Sequence, residues 1–335
     1  VASIVPFIAV LTNPEIVETN VILNKIFQIS NAFGVKNKQE FLFAVGVLVF
    51  ILLITSLTFK AATNYAQMRF SFMREHSIGK RLVEGYLNQP YSWFLNRNSA
   101  DLGKTILSEI SQIVGSGIRP LIDLITMSTV TLALIILLVI ADPKLTMIVG
   151  LSISIAYGTI YYFIRKKLNH IGKNRLKNNQ FRFIAVSEAF GASKEIKVLG
   201  LEQAYTKRFS DPSLDLARSQ ASATVISQLP RFVLEGIAFG GIMLVILYLM
   251  SQKGDFTKAM PVISLYVFAG YRLMPAIQKI YSSLTLLAFI GPSLDTLIKD
   301  IEKLQVLNFN QQPQNLLFNK QIVLNNICYN YPNSS

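Results

Sequence analysis

The sequence predicts an all-α membrane protein: six transmembrane helices that continue as long extensions beyond the bilayer, followed at the C-terminus by one short β-strand. Three observations carry that prediction. Hydrophobic residues make up 51% of the 335 positions and charged residues only 15%, where a soluble domain of this size carries about 25%. The apolar residues are gathered into runs of bilayer length. The stretches between some of those runs keep the composition of helices instead of breaking into loops.

The elements follow in chain order. Val1 to Leu11 is the first apolar run, and the segment 12 to 40 joins it to the second. Within that segment, residues 16–34 form an amphipathic helix on the outer face: Ile22, Ile26, Ile29 and Phe33 recur at helical spacing, while Asn24, Lys25, Gln28 and Asn31 take the other side. The second run is 41 to 59 ("FLFAVGVLVFILLITSLTF"), and 60 to 88 continues it without a proline. A helix from Glu40 to Asn88 is roughly 70 Å long at about 1.5 Å per residue, against a hydrocarbon core of about 30 Å, so it must project far out of the membrane. The third and fourth runs, 124 to 141 and 145 to 164, are joined by the short turn "ADPK". The fourth extends to about residue 190, and a fifth helix covers 198 to 251 if Pro212 and Pro230 only kink it. After the turn "SQKGDF", the sixth run, 259 to 294, is interrupted by Arg272 and Lys279.

Charge gives the orientation. The two long connections, 60 to 119 and 165 to 231, carry eight and thirteen Lys/Arg against four and five Asp/Glu, and the other connections are nearly balanced. The positive-inside rule places both long connections in the cytoplasm. It also accounts for the net charge of +13 without nucleic acid, since the basic residues flank apolar runs rather than decorating a soluble scaffold. His76, His170 and the single cysteine, Cys328, are scattered, which excludes a disulfide framework and argues against a metal site. Both ends of the chain read as cut points, since it opens on "VASIVPFIAVL" without the marks of a signal peptide.

The hairpin tips stand out. At the first, "NQPYSWFLNRNSADLGKTI", Pro90 ends one helix, Ser99 to Asp101 can cap the next, and Tyr91, Trp93 and Phe94 cluster between them as a docking surface. At the second, "EAFGASKEIKVLGLEQAYTKRF", Gly191 and Gly200 bracket a short segment. With six spans, these two tips and the closing "IVLNNICYNYP", the chain resembles the membrane half of an ABC exporter followed by the first strand of its nucleotide-binding domain.

That resemblance implies a transmembrane domain over 1–305, a linker over 306–318 and the start of an ATPase domain over 319–335. It implies that Tyr91 to Arg97, with Tyr91, Trp93 and Phe94, is one coupling helix resting on the ATPase domains, and that Gly191 to Lys197, with Ala192, Lys194 and Glu195, is the other. Tyr331, before Pro332, is then the residue that stacks on adenine. The 335 residues contain no GxxxxGK[ST] loop, no LSGGQ-type signature and no Walker B acidic run. ATP and Mg2+ are therefore expected of the full-length protein and a catalytic site is not expected in this chain. The implied partners are a second copy forming a homodimer, the ATPase domains of both copies, the membrane and a lipid-linked substrate, with the inner membrane of a bacterium as the location.

The outer amphipathic helix, with "LPRFVLEGIAFG" and "FAGYRLMPAIQKI", is similar to the lipid-linked oligosaccharide flippases among these exporters. Arginines inside the spans suit such cargo. Counted from the outer helix ends, Arg119, Arg231 and Arg272 lie roughly 33, 30 and 22 Å deep, at the inner headgroup level. There they could face an inward-open cavity and bind a pyrophosphate bidentately, with Arg69 on the access path. Alternatively they snorkel, and Arg231 pairs with Glu235 one turn away. The rival cargoes are another lipid, a peptide or a drug, and a membrane-anchored sensor or scaffold is a rival of another class.

Overall fold

The computed structural model describes residues 37–95, 97–141, 143–251, 256–304, 321, 323 and 325–328. The expected opening span at 1–11, the outer helix at 16–34, the linker at 306–318 and Tyr331 lie outside the described residues. The chain divides into two compact units, Val1–Phe70 and Ser71–Ser335. In the first, residues 37–70 are described, and all but Asn37 belong to one helix.

Helix α1 spans Lys38–Leu87. Its start is a reciprocal cap in part, with the Asn37 N–H donating to Glu40 Oε2 at 3.4 Å. Thr58 and Thr63, polar residues in or beside an apolar run, donate to the carbonyls of Ile54 and Phe59 one turn back, so neither hydroxyl is left unsatisfied. The helix closes where the Gln89 amide covers the Gly85 carbonyl and Pro90, with no N–H, begins the turn into α2 (Tyr91–Leu95). Asn98 caps α3 (Ser99–Lys104), accepting from the Ala100 N–H at 2.9 Å. The cap thus sits one residue before the Ser99 to Asp101 stretch the sequence suggested.

From there the third long helix is not regular. A π turn over Thr105–Glu109 leads to the short α4 (Ile110–Ile113), then a second π turn over Val114–Ile118 leads to α5 (Arg119–Ala141). Pro120 follows the second wide turn after one residue, Arg119. Its ring would crowd the carbonyl four residues back in a regular helix, and a locally wider turn relieves that clash.

Helix α6 (Pro143–Gly191) starts with proline at its first position, where no N–H is needed. It is followed by α7 (Ser193–Leu199), α8 (Glu202–Ser251) and α9 (Phe256–Glu302). Helix α8 runs through both Pro212 and Pro230, as the sequence allowed. With 49 residues, α6 is roughly 73 Å long, more than twice the hydrocarbon thickness.

Each apolar run from 41 onward falls on a helix. Among the described residues, Gln39–Leu87, Ser99–Ile136 and Leu273–Glu302 are long and apolar enough to cross a membrane. Phe43, Phe50 and Phe59 on α1 and Leu132 and Ile136 on α5 are exposed, as side chains facing lipid are. Lys279, which interrupts the sixth run, is paired with Asp123 of α5 at 3.0 Å, so this charge within the apolar run is compensated.

Helix α9 is the hub, packing against α5, α6 and α8, and α8 also packs along α6. The α6–α9 approach is closest at Gly172, where a Cβ would lie 2.1 Å from the Phe289 carbonyl oxygen. Nearby, Leu168, Ala223 and Phe289 join α6, α8 and α9 in a small core. A larger core unites Leu82 and Tyr86 of α1, Ile110, Ile113 and Val114 of the third long helix, and Ile290 and Leu297 of α9. The β-strand expected within 319–335 is not seen among the described residues of 321–328; a strand is held by ladder bonds to a neighbour, and none is described here.

Candidate functional site

The first tip is narrower than its aromatic content suggested. Tyr91 is 71% exposed and Leu95 50%, but Trp93 is turned inward. Its ring lies 5.4 Å from Tyr86 and 5.0 Å from Phe94, edge-on to the latter, and it packs on the core that contains Leu82 and Ile110. The Arg97 guanidinium covers it at 4.1 Å. Trp93 therefore builds the tip, and Tyr91 and Leu95 present it. Phe94 is half-buried between these roles.

The second tip is a single well-closed turn. Ile196 is its buried anchor. Gly200, at φ +67°, takes the left-handed conformation that glycine adopts without strain, and its N–H closes on the Ile196 carbonyl. Lys194 and Glu195 are exposed, and Ala192 is half-buried at the helix start. Val198, at 77%, and Leu199 and Phe190 are exposed apolar residues. The Glu202 carboxyl is held below its ordinary range, first by its own backbone N–H and then by Lys197, whose Nζ lies 3.0 Å away.

The four arginines do not form a described cluster. Arg69 is exposed on α1 in the first unit, and the side chain of Arg272 lies outside the described residues. The Arg231 Nε donates to Glu235 Oε1 at 2.6 Å, which is the local pairing the sequence offered as the alternative. Arg119 stacks over Phe72 at 4.6 Å. Its buried Nε–H has no acceptor among the described residues.

The most strongly built polar site was not foreseen from sequence. Glu109, at the end of the first π turn, is 3% exposed and meets Arg175 of α6, which is 1% exposed, in a close ion pair. Asn179 donates to the other Glu109 oxygen at 2.6 Å and to Ser108 Oγ at 3.0 Å. Arg175 also donates to Ser293 of α9 at 2.8 Å, and Arg182 donates to the Asn179 side-chain oxygen, Oδ1, at 2.8 Å. Three long helices are thus joined by one buried network. The signal available in the sequence was the i, i+4 spacing of Arg175 and Asn179 on one face of α6, but nothing local points from them to Glu109.

The profile of the ABC transporter transmembrane region matches residues 16–273. The chain belongs to this family. With its long apolar helices, this transmembrane region makes the chain an integral membrane protein. Its fold is similar to that of a solved structure described as a bacterial Atm1-family ABC exporter with ATP bound, at a TM-score of 0.61 and 14% identity. The match covers 90% of this chain and 53% of that one, so the transmembrane region described here spans about half the length of the exporter it resembles.

Proposed function

We propose that the chain is the membrane half of an ATP-driven exporter, working as a homodimer in a bacterial inner membrane, with its two tips on the cytoplasmic side and seated on ATPase domains. The observation that carries this reading is the exposed apolar surface at the two tips, Tyr91 and Leu95 on one and Phe190, Val198 and Leu199 on the other. Both lie at the ends of helices that extend far past bilayer length, where lipid cannot cover them. The excess of Lys/Arg in the same connections supports the cytoplasmic assignment. ATP and Mg2+ then belong to the full-length protein, with Tyr331 stacking on adenine.

The test is Tyr91→Ser with Leu95→Ser in the full-length protein. Transport driven by Mg·ATP is expected to fall at least tenfold while the melting temperature and membrane insertion hold, because these side chains are largely exposed, at 71% and 50%. Trp93→Ala is expected instead to lower stability by about 3 kcal/mol, since it empties part of a core. If the exposed pair proves as damaging to folding as Trp93→Ala, the tips are not docking surfaces.

For the cargo we propose a lipid-linked oligosaccharide or a related polyprenyl-pyrophosphate lipid. The amphipathic pattern of 16–34 and the unsatisfied Arg119 donor support this reading. A buried donor without an acceptor is costly, and an anionic headgroup would complete it. Arg119→Gln together with Arg272→Gln is expected to slow flipping of a polyprenyl-pyrophosphate glycan in vesicles by about ten- to a hundredfold, the loss of one to two charge-assisted hydrogen bonds, with basal ATP hydrolysis retained. Normal flipping by the variant would transfer the choice to another lipid, a peptide or a drug.

A further inference from the structure

The end of the last helix is tied to the first tip more tightly than packing requires. Asp300, two residues before the final residue of α9, has both carboxylate oxygens engaged. Oδ1 takes Arg97 Nη1 at 2.6 Å, and Oδ2 accepts from the Tyr86 hydroxyl. Arg97 and Tyr86 hold Trp93 from two sides, at 4.1 and 5.4 Å. One turn further on, Leu304 packs on the same core, and a Cβ on Gly85 would meet Leu304 Cδ1 at 2.9 Å. The last turn of α1, Trp93 of α2 with Arg97 just after it, and the C-terminal turn of α9 therefore form one knot, with Asp300 at its centre.

From this juxtaposition we infer that Asp300 is a positioning residue for energy coupling: it makes the outgoing end of α9 and the Tyr91 tip move as one body. A shift of the chain beyond Glu302 is then delivered to the tip and to α1, as well as along α9. The physical basis is that a partly buried carboxylate with two partners is costly to release: losing Arg97 strands the Asp300 charge, and losing Tyr86 leaves a partly buried hydroxyl without its acceptor. A tip held only by apolar contacts could slide. The inference rests on the exporter reading above and adds to it a contact between the two ends that the membrane half itself supplies.

The test uses the full-length protein with Cys328→Ser and any other cysteine removed, spin-labelled at Leu132→Cys and Met243→Cys, both exposed. Mg·ATP hydrolysis is measured alongside the label distance with and without vanadate trapping. The unmodified protein is expected to change distance on trapping. Asp300→Asn is expected to hydrolyse ATP within threefold of it yet lose at least four-fifths of the distance change, and Tyr86→Phe to lose a smaller part. Arg97→Asp combined with Asp300→Arg is expected to recover at least half of the change that either single reversal removes, a rescue that a loss of fold would not show. A full distance change in Asp300→Asn, or a charge-reversed pair as inert as its single variants, overturns the inference. Absence of ATP hydrolysis by the unmodified protein overturns the exporter reading itself, and the clasp with it.

Discussion

Arg175→Met is expected to destabilise the fold by about 3 to 5 kcal/mol, read as the loss in unfolding free energy in detergent, because it leaves Glu109 charged, 3% exposed and without its counter-charge. The two remaining groups, Asn179 and Ser108, cannot compensate. Asn179 donates to both Glu109 and Ser108, but an amide and a hydroxyl carry no net charge to offset the carboxylate. Replacing both ions, Arg175→Met with Glu109→Leu, is expected to return most of the loss, since a buried pair is roughly neutral in stability against apolar residues of similar volume. The pair of measurements separates a cavity from a stranded charge: a cavity would persist in the double variant. A single-variant loss below about 1 kcal/mol would mean that water reaches Glu109 in the folded protein.

That network sits at the end of the first wide turn of the third long helix. Two π turns flank a single regular turn, Ile110–Ile113, and each wide turn changes which side of the helix faces its neighbours. The arrangement points Ile110 and Ile113 into the core with Leu82 and Ile290 and Glu109 to Arg175, one apolar and one polar partner set on adjacent positions.

This also marks where the sequence was readable. The apolar runs, the helices outlasting the bilayer, Pro90 and Gly200 as stop signals and the passage of α8 through Pro212 and Pro230 all depend on properties of neighbouring residues, and they were legible. The aromatic tip was only half legible. Tyr91, Trp93 and Phe94 are adjacent in sequence, but which of them faces outward is decided by Tyr86 and by Arg97, which is fixed in turn by Asp300, 203 positions away. The π turns and the Glu109–Arg175 pair were illegible for the same reason, since a separation of 66 positions leaves no periodic trace. Among the arginines, the contact that sequence spacing could foresee is Arg231 with Glu235, whereas the Arg119–Phe72 contact crosses between helices.

Gly172→Ala is expected to be among the most damaging single-atom additions to this chain. Ordinarily a glycine inside a helix is a weakness, and alanine there gains about 0.5 to 1 kcal/mol. At Gly172 the added Cβ would lie 2.1 Å from the Phe289 carbonyl oxygen and 3.2 Å from its carbonyl carbon. Backbone atoms cannot rotate aside, so α6 and α9 must separate by about 1 Å to restore van der Waals contact. That separation loosens the small core of Leu168, Ala223 and Phe289 and lengthens the 2.8 Å bond from Arg175 to Ser293, one turn along the same two helices. The overpacking alone costs about 1 to 3 kcal/mol, and the weakened network adds to it, for a total of about 3 kcal/mol or more. Gly158 on the same helix is the control: among the described residues nothing beyond its own stretch of helix lies within 4 Å of its added Cβ, so Gly158→Ala is expected to leave the melting temperature unchanged or raise it. Equal melting temperatures for the two variants would show that α6 and α9 are not in backbone contact at Phe289, and the network that joins them to Glu109 would then have to tolerate a gap that its hydrogen-bond lengths exclude.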